Sequence, residues 1–265
     1  MNIQITPFQL FSVVALKSIL IIAFILGFCF NSTHKISSIS LPISSIFFDA
    51  QSELPDFSNY TDTKQKKADF FAFLLPKIQL SNENITQERA DLHQININAS
   101  LSESDTKKLM TLAKRYKVKA QDPSTIYAEL NKKIDIVPAS LVLAQAANES
   151  AWGTSRFAKK ANNLFGQWCY VKGCGLVPLK RGSNERHEVA KFKSIQASVA
   201  SYMLNLNTQI SYQDLRNIRE KMRNKNTSIS GYELANGLLK YSTRREAYVH
   251  EIQSMIRHNG LSQYD

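Results

Sequence analysis

The sequence has no internal repeat, no phosphate-binding loop and no cluster of residues spaced to ligate a metal ion. It is short of cysteine, with three in 265 residues, and of acidic side chains, with 22 against 33 lysines and arginines. These absences give no reason to expect a metal or an organic cofactor. The net charge of +11 favours an anionic partner, whether nucleic acid, lipid or cell wall.

The basic residues of segment 214–225, DLRNIREKMRNK, alternate with acids. That pattern is typical of a solvated helix face rather than a phosphate-binding stripe. We therefore expect no nucleic-acid partner.

An apolar run from Leu10 to Phe30 contains a single charge, Lys17. It is about as long as a bilayer-spanning helix requires. No small-residue cleavage site follows it, since the segment 27–30 reads GFCF. This favours an uncleaved membrane anchor, with a cleaved signal peptide as the alternative.

Cys169 and Cys174 form a close pair in WCYVKGCG. In an oxidising compartment a disulfide between them would close a small loop. Two separate thiols are the alternative, and a zinc site with His187 has too few ligands.

Changes in composition and hydrophobic pattern divide the chain into four parts. They are an N-terminal anchor or signal (1–30), a flexible tether (31–62), a helical part (63–135) and a C-terminal part (136–265) that contains most of the candidate catalytic and binding residues. The apolar spacing around 70–78 predicts a helix, and HEVAKF at 187–192 predicts a short strand. The expected fold class is α+β, mostly helical with one small β lobe. The predicted helix starts are Ser102-x-x-Asp105, Asp122-Pro123, Pro138, Thr154 or Ser155, Ser194 and Ser230-x-x-Glu233.

Glu149 ends the apolar helix ASLVLAQAANE, with Val142 and Gln145 behind it on the same face. The helix C-terminus and apolar burial both disfavour a negative charge there, so both should raise the pKa of this carboxyl. A raised pKa suits a general acid. The alternatives are that Glu149 extends into solvent or pairs with Arg156.

The stretch 144–155, AQAANESAWGTS, followed by NLFG at 163–166, resembles the signature of the bacterial glucosaminidase family, which includes autolysins and the flagellar peptidoglycan hydrolase domain. The closer resemblance is to the Bax branch, through GCGLVP at 173–178, HEVAKF, and NLNT at 205–208. It runs from about Phe70 to the C-terminus.

The resemblance implies a lysozyme-like fold with a small β lobe beside the catalytic cleft, and 136–265 as the catalytic domain. It also implies hydrolysis of peptidoglycan at β-1,4 bonds after N-acetylglucosamine, without a cofactor and with Glu149 as general acid. The N-terminus would then be a single-pass inner-membrane anchor with the catalytic domain in the periplasm. If it is cleaved, the protein is secreted there. The residues expected to bind substrate are Trp152, Asn163, Phe165, Gly166, Trp168 and Tyr248. For the aromatic residues among them, core packing is the alternative.

Tyr241 and Tyr248 match the two tyrosines of a YATDP-x-Y motif found in the family, although Arg244-Arg245 replaces its Asp-Pro. Tyr241 is expected to face the reacting sugar, and ordinary helix-core packing is the alternative for Tyr248. The second carboxylate is Glu188 or Glu185, or neither if the acetamido group of the sugar assists. A lytic transglycosylase and a non-enzymatic wall-binding protein are the alternative functions.

Overall fold

The computed structural model describes residues 53–179, 181–182 and 184–265, and most of them are helical. The α-helices are α1 (Thr63–His93), α2 (Glu103–Arg115), α3 (Pro123–Lys133), α4 (Ala139–Ser150), α5 (Arg156–Ala161), α6 (Ile195–Thr208), α7 (Gln213–Asn224), α8 (Gly231–Leu234) and α9 (Glu246–His258). Short 3-10 helices cover Phe57–Asn59, Ile210–Tyr212, Ala235–Leu238 and Leu261–Tyr264. With the small sheet described below, this confirms the predicted α+β class.

Side-chain caps start most of the helices where the sequence predicts. The side chains of Ser102, Asp122, Ser155, Ser194 and Ser230 each accept a backbone N–H from the first turn that follows them. Helix α1 runs further than its apolar spacing indicated. It continues to His93 through a Gln/Asn-rich stretch because Ile85 and Leu92 still face the core.

Helix α4 occupies the centre of the core, and every residue from Ala139 to Ala147 is buried. Pro138 supplies no side-chain cap. The carboxylate of Asp265 takes that role instead. Its Oδ1 accepts from Ser140 N over 2.9 Å. Its Oδ2 accepts from Gly231 N, at the start of α8, also over 2.9 Å.

The β lobe is a three-stranded antiparallel sheet in the order β1-β3-β2, formed by β1 (Trp168–Cys169), β2 (Gly175–Leu176) and β3 (Glu188–Ala190). Val189 pairs with Trp168 on one side and with Leu176 on the other. A disulfide joins Cys169 to Cys174 and closes the connection between β1 and β2, as predicted.

Phe57 ties the segment before α1 to the helical body, although it falls in the predicted tether. It is fully buried and meets the ring of Phe70 edge-on, with 5.4 Å between centroids. Across the described residues, no helix has both the length and the apolarity to cross a bilayer. The predicted span 10–30 lies outside the described residues.

Candidate active site

Glu149 lies in the last turn of α4 and lines a cleft of about 540 Å³. The β lobe and α6 contribute much of the remaining wall. The other lining residues are Phe165, Gly166, Gln167, Trp168, Tyr170, Tyr202, Asn205, Leu206, Gln209, Tyr212 and Tyr241. Among the described residues that line this cleft, Glu149 is the only carboxylate.

A left-handed turn ends α4 directly behind Glu149. Ala151, Trp152 and Gly153 have φ angles of 50°, 57° and 76°. Only glycine adopts such angles without strain, and runs of left-handed residues cluster at functional sites. A Cβ on Gly153 would lie 2.8 Å from Cδ2 of Phe57, so the buried phenyl ring packs against the underside of this turn.

A chain of buried hydrogen bonds leads to the Glu149 carboxylate. The Tyr202 hydroxyl donates to Gln145 Oε1. Gln145 Nε2 donates to the Tyr248 hydroxyl over 2.9 Å, and that hydroxyl donates to Glu149 Oε1 over 2.8 Å. Because Gln145 Nε2 occupies an acceptor position of the Tyr248 oxygen, the phenolic proton is directed at Glu149.

Burial raises the pKa of Glu149 above its ordinary value. Hydrogen bonds from Tyr248 and Asn148 oppose that shift because they stabilise the carboxylate. The nearby Glu251 carboxylate raises the pKa and Arg244 lowers it. The net upward direction matches the prediction, with burial as its main cause.

Tyr241 lines the cleft and its hydroxyl donates to the backbone oxygen of Phe165 over 3.0 Å. Its ring stacks on that of Tyr248 with centroids 5.1 Å apart. Phe165 in turn stacks on Tyr202 at 3.9 Å. Phe165, Tyr202 and Tyr241 therefore form an aromatic part of the cleft wall, with the Tyr248 ring packed behind it.

Three residues expected to contact substrate, Trp152, Asn163 and Tyr248, are absent from the cleft lining. Trp152 packs edge-on against Phe70 and Phe71 of α1. Asn163 is buried, and its Nδ2 donates to the backbone oxygens of Gln167 and Ala190, over 3.0 and 2.9 Å. Tyr248 is also buried. The contacts of all three support the wall of the cleft, and their contact with substrate stays a prediction.

The Glu188 carboxylate also binds backbone groups outside the cleft. It is only 6% exposed, and its two carboxylate oxygens accept from Gly173 N over 3.0 Å and from Gly175 N over 2.8 Å. These hydrogen bonds lower the pKa of Glu188. Glu185 accepts from Gly182 N over 3.1 Å. Neither carboxylate lines the cleft, so this geometry does not support Glu188 as a second reacting group.

Trp168 and Tyr170 carry the β-lobe wall of the cleft. Trp168 is 57% exposed and stacks on His187 with centroids 3.9 Å apart. Tyr170 is 72% exposed and was not predicted as a site residue. Gly166, in a left-handed conformation with φ of 63°, has no neighbour within 4 Å of where a Cβ would stand, so the cleft is open there.

Helix α6 contributes a second group that sequence reasoning missed. Tyr202, Asn205, Leu206 and Gln209 line the cleft at spacings of three, four and seven residues. Such spacings put side chains on one helix face. The spacing is visible in the sequence, but nothing local distinguishes a helix face that lines a cleft from one that packs in the core.

One cluster in the described residues brings metal-type ligands together, namely Cys169, Cys174 and Glu188. The two sulfurs are joined to each other, and Glu188 accepts two backbone hydrogen bonds. The cluster therefore offers no thiolate to a metal in this state.

Comparisons with known proteins show which sequences and structures this chain is similar to. The sequence profile described as mannosyl-glycoprotein endo-beta-N-acetylglucosaminidase, the glucosaminidase family, matches residues 124–261. "Protein bax" of Escherichia coli (strain K12) is 33% identical over 211 residues, which cover 78% of this chain and 75% of that protein. The catalytic domain of the autolysin Auto from Listeria monocytogenes aligns with a TM-score of 0.43 and 17% identity over 78% of this chain and 92% of that one.

Proposed function

We propose that this chain, which belongs to the glucosaminidase family, cleaves peptidoglycan glycan strands at β-1,4 bonds after N-acetylglucosamine, with Glu149 as general acid. Family membership supports a peptidoglycan hydrolase-type activity. One observation carries the finer assignment. Among the described residues that line the aromatic cleft, Glu149 is the only carboxylate, and burial raises its pKa.

The first chemical step follows from that carboxyl. A protonated Glu149 donates its proton to the glycosidic oxygen as the bond between that oxygen and C1 of the sugar breaks. The leaving strand departs as an alcohol, and positive charge develops at C1. The cleft aromatics stack on the sugar rings and hold them beside Glu149.

The second step does not use Glu188. The sugar's own acetamido oxygen forms a bond to C1 and relieves the positive charge there. Glu149, now a carboxylate, then takes a proton from a water molecule that attacks C1. Bond formation to water releases the acetamido oxygen and restores the acid.

A lytic transglycosylase is the second candidate, because it too needs a single carboxylate in the cleft. The products separate the two reactions. A new reducing N-acetylglucosamine end supports hydrolysis, whereas a 1,6-anhydro muramic end would overturn it. Mass spectrometry of digested sacculi measures both.

Glu149→Gln tests the acid directly. General acids contribute about 10²–10⁴-fold, so we expect this variant to release fragments from purified sacculi at least about 100-fold more slowly than the parent protein. Glu185→Gln, an exposed acid outside the cleft, is the matched control and should retain activity. If Glu149→Gln clears sacculi at the parent rate, Glu149 is not the general acid; if the parent protein itself releases no fragments, the cleft belongs to a non-catalytic wall-binding protein.

The placement of the chain is part of the proposal. The apolar run 10–30 would anchor the protein in the inner membrane, with the catalytic domain in the periplasm. The Cys169–Cys174 disulfide supports an oxidising compartment. In salt-washed cell fractions, full-length chain in the membrane pellet is the expected result. A shortened soluble product in the periplasm would indicate cleavage.

A further inference from the structure

We propose that residues 169–175 form a glycan-binding arm, in which the Cys169–Cys174 disulfide holds Tyr170 against the sugar rings bound beside Trp168. The inference rests on the proposed function and adds a determinant of substrate affinity to it. It also makes that affinity depend on the oxidation state of the arm.

The first argument is exposure. The large apolar side chains exposed on the β lobe are Trp168, Tyr170, Val171, Val177 and Leu179. A contiguous group of exposed apolar side chains on a monomer often marks a binding surface, whereas single exposed ones are common. Trp168 and Tyr170 line the same cleft as Glu149. That continuity identifies the occupant as the glycan, because sugar rings stack on exposed aromatic faces.

The second argument is how little else holds Tyr170. The strands on either side, β1 and β2, are two residues long each. With the ring 72% exposed, its position is set mainly by the backbone. The backbone is fixed by the disulfide and by the Glu188 carboxylate, which accepts from Gly173 N and Gly175 N.

Disulfide closure matters because it removes conformations that the open loop would sample. With the disulfide reduced, the Glu188 hydrogen bonds still hold Gly173 and Gly175, and the pairing of β1 with β3 still holds Cys169. Tyr170 lies between these two points, in a segment spanned by one backbone hydrogen bond from Cys174 N to Val171 O. Reduction therefore gives this segment more conformational freedom, and the added entropy is what glycan binding must then remove.

Trp168 does not share this dependence. It belongs to β1, pairs with Val189, and stacks on His187 at 3.9 Å. The position of the Trp168 ring, just before the arm, therefore does not depend on the disulfide, whereas the position of the Tyr170 ring does. The Tyr170 contribution to binding should exist only in the oxidised protein.

A double-mutant cycle tests this in the Glu149→Gln background, which permits binding without turnover. The ligand is a β-1,4-linked N-acetylglucosamine oligosaccharide, titrated by calorimetry. Aromatic contacts of this kind correspond to about a fivefold to tenfold change in Kd. We expect Tyr170→Ala and Cys169→Ser/Cys174→Ser each to weaken binding by about that factor, and the two combined to weaken it no further.

Leu179→Ala is the matched control, since Leu179 is exposed on the same lobe but does not line the cleft. Its affinity should equal that of the Glu149→Gln parent, and Tyr170→Phe should retain most of the binding. Thermal unfolding of the cysteine variant checks that the domain remains folded. Treatment of the parent with a reductant should reproduce the loss.

Two outcomes overturn the inference. If the cysteine variant binds like the parent, or if the two losses multiply, the disulfide does not act through Tyr170, while the proposed function survives. If the Glu149→Gln protein binds no oligosaccharide in either redox state, both the arm and the proposed function fail.

Discussion

The Tyr248 hydroxyl donates a hydrogen bond to Glu149 Oε1 over 2.8 Å, although the two residues lie 99 positions apart in the chain. This contact opposes the effect of burial: it stabilises the carboxylate, whereas burial stabilises the neutral acid. Gln145 and Tyr202 continue the chain and fix the direction of the donated proton. The acidity of Glu149 is therefore set by α4, α6 and α9 together.

Tyr248→Phe should move the alkaline limb of the activity profile to higher pH. Loss of the donor removes stabilisation of the Glu149 carboxylate, so the pKa rises further and the acid stays protonated at higher pH. A hydrogen bond to a charged group is worth about 1.5–3 kcal/mol, so a shift of about 1 pH unit is expected. The measurement is the rate of sacculus digestion against pH. Tyr241→Phe, whose hydroxyl bonds to Phe165 O instead, should leave that limb in place. An unshifted limb in Tyr248→Phe would contradict the assignment.

Glu149→Gln should stabilise the fold at alkaline pH. The folded pKa of Glu149 lies above its ordinary value of 4.5. The stability that the neutral carboxyl contributes is therefore complete below 4.5 and is lost as pH rises through the folded pKa. The variant has no charge to bury, and since the site is partly solvated, the gain at pH 8 should be below about 1 kcal/mol. Thermal melts at pH 4 and pH 8 measure it. If the variant has a lower melting temperature than the parent protein at pH 8, the buried charge of Glu149 does not destabilise the fold.

Asp265→Ala should destabilise the protein because the lost carboxylate holds the start of α4, the central helix of the core. The start of α4 has no cap from its own N-cap residue, and the Asp265 carboxylate supplies one by accepting from Ser140. It also accepts a hydrogen bond from Gly231 N. Loss of a cap costs about 0.5–2 kcal/mol, and loss of two contacts should fall at the upper end of that range. Urea unfolding measures the change. Asp265→Asn retains an acceptor oxygen and should lose less; equal losses would mean that capping is not the cause.

Gly153→Ala should be costlier than an ordinary glycine substitution. The new Cβ would meet both a φ of +76° and the buried ring of Phe57 at 2.8 Å. Overpacking costs about 1–3 kcal/mol, and the left-handed backbone about 1 kcal/mol more. Gly260→Ala has a similar φ of +60° but ordinary contacts, so it isolates the backbone cost. Similar unfolding free energies for the two variants would show that Phe57 gives way easily.

Local signals explain what sequence alone could establish. A cap such as Ser102 or Asp122 acts on a backbone N–H within the next three residues, so its effect is readable from the chain itself. The same holds for the burial of Glu149, which lies in the last turn of a helix whose apolar composition already predicts it. The Cys169–Cys174 disulfide closes a short loop, so the sequence spacing alone was enough to predict it.

Side-chain direction explains what sequence could not establish. Trp152 and Asn163 stand in a motif rich in aromatics and amides, but Trp152 follows a left-handed backbone onto Phe71 of α1, and Asn163 bonds to the backbone oxygen of Ala190, 27 positions away. Glu188 alternates with Val189 along β3, and only the position of the arm decides what its carboxylate meets. Tyr202 reaches Glu149 through two other residues, a relationship that no local pattern encodes.

Phe57 joins the N-terminal segment to the underside of the turn that follows Glu149. A load applied through the residues before it would act first on that ring, and withdrawal of the ring would leave a void beneath Gly153. The segment 53–57 and the orientation of Glu149 are thus mechanically in series, so a pull on that segment would disturb the turn that positions the carboxyl.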